Sequence, residues 1–161
     1  MNREERRAFV ASHRTAIFGY RRRQDGPAMS VVYYVTDGDE ILVSTMADRS
    51  KAKAVRRDPK VALCVLDEQW PATYLQVYCD AWVQSDFEAN VDLGMRIAEL
   101  MAGQAMPEEV RPLVAEGVKK ERRVTLRCTP YATFATPPRH VHSADDVNEN
   151  LTHEVGHSLP W

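Results

Sequence analysis

The sequence predicts a mainly β (α+β) fold, a small antiparallel barrel with short inserted helices, and three observations predict it. Strand-forming segments follow one another through turn-forming residues, the mark of a meander. After an opening helix, helical periodicity interrupts the strands at only two points. Neither G-x-G-x-x-G nor a P-loop sequence occurs, which removes the usual signatures of a doubly wound parallel sheet. The 161 residues, 18.3 kDa, suit one domain, since single domains cluster near ~100–150 residues.

The elements follow in order. Residues 2–13 predict a short amphipathic helix, with Asn2 as N-cap, Glu4 and Glu5 in the first turn, and Phe9 and Val10 on one side. Residues 15–20 favour extended structure. Gln24-Asp25-Gly26-Pro27 supplies a turn before residues 29–35, which are rich in β-branched and aromatic side chains. Thr36-Asp37-Gly38-Asp39 turns the chain again, and residues 40–45 return as a third strand. Residues 49–57 lack strand alternation and stop at Asp58-Pro59, because proline disfavours helix in the residue before it. Residues 60–66 resume β structure, 67–71 break it, and 74–83 form a long strand. Residues 86–101 carry Phe87, Val91, Leu93 and Ile97 at helical spacing, with Gly103 as the stop. A second helical stretch runs from Pro107 to about Lys120, and residues 122–134 alternate as the last strand. The expected division is a barrel domain over 1–136 and a tail over 137–161.

Composition narrows the function. The longest apolar runs, such as 61–66, are far short of the ~20 residues of a membrane-spanning helix, and no signal-peptide pattern opens the chain. A cytoplasmic protein without a membrane partner is expected. Cys64, Cys79 and Cys128 form no C-x-x-C pair, so neither a disulfide framework nor a zinc ribbon is supported, and Cys64 reads as a small buried hydrophobe. Residues 1–60 hold 13 Lys+Arg against 8 Asp+Glu, net +5, and residues 61–161 hold 8 against 15, net −7. The basic half could suit an anion, but a pI of about 6.2 argues against a nucleic-acid partner. A small anionic ligand fits better.

The informative segment is Ser44-Thr45-Met46-Ala47-Asp48-Arg49-Ser50-Lys51-Ala52-Lys53. Two hydroxyls end a strand and a basic cluster opens a helix, whose first N–H groups and positive dipole favour a phosphate there. A solvated basic helix face would carry the same residues.

Together with the strand–turn–strand over 18–34, Asp37-Gly38-Asp39, and Arg56-Arg57-Asp58-Pro59-Lys60-Val61-Ala62-Leu63, this segment resembles the pyridoxamine-phosphate-oxidase-like split β-barrel of the FMN-binding type. The resemblance covers roughly residues 5–135 and is most specific over 44–63. The strand Tyr74-Leu75-Gln76-Val77-Tyr78 is similar to the one that follows in the family. Within that superfamily the chain looks most like the flavin/deazaflavin oxidoreductases of the B-type group, many of which use coenzyme F420.

The resemblance implies a homodimer with flavin-type sites in grooves between subunits. It matches Ser44 and Thr45 to hydroxyls near the cofactor phosphate, Lys51 to the lysine that binds it, and Arg49 and Ser50 to adjoining positions. Ser30, Val31 and Val32 match the strand along the tricyclic ring, and Tyr74 a cofactor-proximal position. Cys79 stands where glycine is common in the family. The implied activity is hydride transfer from reduced F420, or alternatively from FMN, to an electron-poor small molecule, with protonation from Tyr33, Tyr74 or solvent. A non-catalytic flavin- or haem-binding module is the other class the barrel can serve. Arg21-Arg22-Arg23 could neutralise an acidic cofactor tail or form a solvated hairpin edge.

One further motif competes. His153-Glu154-Val155-Gly156-His157 matches H-E-x-x-H, in which two histidines on one helix face bind zinc beside a glutamate base. Only Ser158-Leu159-Pro160-Trp161 follows in this sequence, and Gly156 and Pro160 weaken a helix, so no metal site is assigned; His140 and His142 are the upstream alternatives.

Overall fold

The computed structural model describes residues 1–69, 73–135 and 158–161. Helix α1 (Arg3–Ser12) starts at Asn2, whose side chain accepts from the Glu5 amide at 2.9 Å while Glu5 accepts from the Asn2 amide at 2.7 Å. That reciprocal cap is the reason the helix starts there. Strands β1 (Thr15–Tyr20) and β2 (Ala28–Asp37) pair antiparallel, with Thr15 opposite Tyr33 and Tyr20 opposite Ala28. Gly38, at φ 59°, turns β2 into β3 (Glu40–Met46). Helix α2 (Ser50–Arg57) leads to β4 (Lys60–Asp67) and β5 (Thr73–Gln84). Helix α3 (Phe87–Ala102), capped by Asp86 and closed by Gly103, packs on α4 (Arg111–Lys120) before β6 (Arg123–Phe134).

With a short last strand β7 (Leu159–Pro160), the strands among the described residues order as β3-β2-β1-β4-β5-β6-β7, and β3 also pairs with β6, so six antiparallel strands close on themselves. This is the split barrel expected from the sequence. Its interior holds Phe18, Tyr34, Ile41, Val43, Leu63, Val65, Leu75, Val77 and Leu126, all from the inward row of each strand. The Tyr34 hydroxyl donates to the Val10 carbonyl at 2.6 Å, tying α1 to the barrel, and burial pushes its pKa up.

Three details depart from the sequence reading. Cys64 is half-buried on the outer face, because the alternation of β4 sends Val61, Leu63 and Val65 inward and Cys64 outward; Cys79 and Cys128 are the buried pair. Burial raises the pKa of all three cysteines, so they are thiols. The last strand begins after Arg122, which holds a left-handed φ of 51°. Part of the stretch read as tail returns to the barrel: β7 (Leu159–Pro160) pairs with β6, and buried Arg6 donates to the Pro160 carbonyl at 2.6 Å. The H-E-V-G-H run lies outside the described residues. Among the described residues no cluster of metal-ligating side chains occurs, and no helix is long and apolar enough to cross a membrane.

Candidate functional site

The junction of β3 with α2 opens a cavity of about 300 Å³, lined by Tyr20, Ser30, Thr45, Met46, Arg49, Ser50, Lys51 and Arg123. Local bonds shape the junction. The Ala47 amide donates to the Arg122 carbonyl at 2.9 Å, Arg56 donates to the Ala47 carbonyl at 2.8 Å, and Arg122 pairs with Asp48 at 2.8 Å. Arg49 is the N-cap of α2 but gives no side-chain cap, and the first amides of a helix have no intrahelical acceptor. The first residues of α2, Ser50 and Lys51, line the cavity with Arg49, at the end of the helix where its dipole is positive.

Electrostatics at this corner favour an anion. Lys51 is half-buried, and its pKa is lowered, first by burial and then by the adjacent Arg49 charge. An anion in the cavity would relieve both penalties. Also lining the cavity, the Ser30 hydroxyl oxygen is buried with no hydrogen-bond partner among the described residues, a cost that a ligand oxygen would remove. Cations, free amides and an orphaned hydroxyl form a donor set that fits a phosphoryl group. The residues present therefore fit a phosphate-bearing cofactor.

Of the residues selected from sequence, the structure brings Ser30, Thr45, Arg49, Ser50 and Lys51 together at this cavity. Ser44 lies beside it, accepting from Arg123 at 3.2 Å. Val32 turns into the core at 7% exposed, whereas Val31, at 72%, stands on the outer sheet face. Tyr74 is opposite Leu66 on β4 and does not line the cavity; Tyr33, on the outer face, does not line it either. Sequence reasoning missed Arg123, Met46 and the side chain of Tyr20. Arg123 is 79 positions from Ser44, and only the β3–β6 closure, which sets Met46 opposite Arg123, unites them.

Two cavities adjoin. One, of about 350 Å³, shares Tyr20 and Ser50 with the first and is lined by Arg21, Arg22, Arg23, Lys53 and Arg57. Arg21 pairs with Asp58 at 3.4 Å, Arg22 with Asp25, and Arg57 donates to the Arg21 carbonyl at 2.7 Å. The other, about 480 Å³, is walled by Tyr20, Met29, Val61, Tyr78 and Tyr131, with Lys60 held over the Tyr131 ring at 4.3 Å.

A closed antiparallel barrel with a cationic strand–helix corner defines a protein of the split-barrel class. The chain belongs to the pyridoxamine 5'-phosphate oxidase family, whose model matches residues 3–136. No curated protein matches it. Among solved structures it is similar to a conserved hypothetical protein from Mycobacterium tuberculosis, at 23% identity and a TM-score of 0.73, covering 90% of this chain and 94% of that one. An F420 reductase matches at 17% identity and TM-score 0.61, covering 78% and 93%. A haem storage protein from Vibrio cholerae matches at 14% and 0.58, covering 80% and 89%. At these identities the likeness establishes the fold.

Proposed function

We propose that the chain is an oxidoreductase, an F420H2-dependent reductase that transfers hydride to an electron-poor organic acceptor. The observation that carries this reading is that Arg49, Lys51 and the start of α2 line one cavity with Ser30, whose buried hydroxyl has no partner among the described residues. When bound, the deazaflavin supplies the hydride chemistry, and the protein supplies binding and orientation. Lys51, Arg49 and Ser50 hold the phosphoryl group, and Thr45 and Ser44 end the strand that frames it. The strand of Ser30, Val31 and Val32 would lie along the cofactor ring. FMN, which also carries a phosphate and a tricyclic ring, is the alternative. The basic cavity beside the corner favours the more anionic deazaflavin, because Arg23, Lys53 and Arg57 line a second place for negative charge.

The working unit is a homodimer in the cytoplasm, with residues 1–136 as the cofactor-binding barrel and 137–161 as a tail whose end returns to it through β7. Met29, Val31 and Ile17 stand 71%, 72% and 38% exposed on neighbouring positions of one sheet face, an apolar surface that a second copy would cover. Tyr33 and Tyr74 lie on that same outer side, so their reach to a cofactor runs through the dimer.

The test is equilibrium titration of wild type and Lys51→Ala with F420 and with FMN, followed by turnover of the reduced cofactor with a quinone. Lys51→Ala is expected to weaken the preferred cofactor at least about tenfold, the scale of a charge-assisted hydrogen bond. Unaltered affinity would remove the site. Saturable binding without turnover would instead mark a carrier.

A further inference from the structure

We propose that Arg123 is a third cation of the anion site, carried into it by the strand that closes the barrel and held there by the inserted helix α3. The proposal rests on reading the β3–α2 corner as a phosphoryl site. Arg123 is half-buried and lines the same cavity as Arg49 and Lys51. Its Nε donates to Glu121 at 2.6 Å and its Nη1 to the Ser44 hydroxyl at 3.2 Å. Those contacts aim the fork and leave further N–H donors for a ligand, in the geometry that suits a phosphate.

The backbone beneath it is fixed from both sides. Asn90 of α3 is 4% exposed; it donates to the Arg123 carbonyl at 3.1 Å and accepts from the buried Thr125 hydroxyl at 2.7 Å. Before Arg123, the left-handed Arg122 presents its carbonyl to the Ala47 amide, within the loop that carries Asp48 and Arg49. A non-glycine residue keeps such a backbone only where its surroundings over-determine it. The α4–β6 turn thus grips the phosphate loop and delivers a cation to it, so Asn90 acts as a positioning residue and Arg123 as a binding residue.

The test compares FMN with riboflavin, which differ only in the phosphoryl group, and F420 with its deazaflavin chromophore, which lacks the acidic tail as well as the phosphate. In Arg123→Gln the phosphorylated member is expected to bind about tenfold more weakly, while the phosphate-free member is unchanged. Arg123→Lys, which keeps the charge and loses the fork, should fall between, and it serves if the glutamine variant does not fold. Asn90→Ala should lower the same phosphate-specific ratio even after its melting temperature is taken into account. Equal weakening of both members would make Arg123 a structural residue and overturn the proposal. No change in Arg123→Gln while Lys51→Ala loses the phosphorylated ligand would overturn it and leave the corner standing. No change in either variant would remove the corner as well.

Discussion

Lys51 shows how one side chain can couple folding to binding. Its pKa is lowered by burial and by Arg49, so the empty protein carries a penalty for keeping it charged. The unfolded chain binds the proton more tightly, and the empty protein therefore gains stability as pH rises from the lowered pKa towards the ordinary lysine value. A bound phosphate works in the opposite direction, because it favours the charged ammonium. Affinity for a phosphorylated ligand should fall as pH rises through the lowered pKa, earlier than an ordinary lysine would lose its charge. Titrations across alkaline pH check this, and Lys51→Arg should flatten the decline since arginine keeps its charge. Residue types alone marked Ser44 to Lys51 as an anion corner. Nothing in them revealed that Lys51 is half-buried or that Ser30 lacks a partner among the described residues, since both follow from which neighbours the fold supplies.

At the scale of elements, the two inserted helical units have different work. Helix α2 brings its N-terminus to the cavity, whereas α3 and α4 pack together and brace the start of β6. Their contact is close at Gly94, where an added Cβ would lie 2.7 Å from a methyl group of Val114. Gly94→Ala gains about 1 kcal/mol of helix propensity but overpacks the contact by roughly 1–3 kcal/mol. A net loss of stability is expected in denaturant melts, and Val114→Ala in the same chain should restore most of it. If Gly94→Ala alone stabilises the protein, α3 and α4 are not packed this closely. The helices themselves were legible from periodicity, caps and Gly103. Their role was not, because Asn90 reads as an ordinary helical residue until Thr125 and the Arg123 carbonyl face it.

For the whole molecule, the closed barrel buries one face of each strand and leaves an apolar stretch of the other face in the open. Met29 and Val31 are exposed, and Ile17 is beside them. Under the homodimer reading, Val31→Glu places a charge in the contact and should convert the dimer to a monomer in light scattering, with a loss of cofactor affinity. A wild-type protein that is monomeric at high concentration would defeat that reading.

The succession of strands and helices, the turn positions and the helix caps were written in local chemistry: alternation, Asp-Gly turns and the Asn2 cap. These depend on residues a few positions apart, which is why the sequence by itself determined them. Tertiary structure alone decided the outward turn of Cys64, the return of Leu159–Pro160 to β6, and the meeting of Arg123 with Ser44. Those depend on register and on barrel closure, where pairing between distant strands chooses which side chains meet. No local pattern encodes that choice.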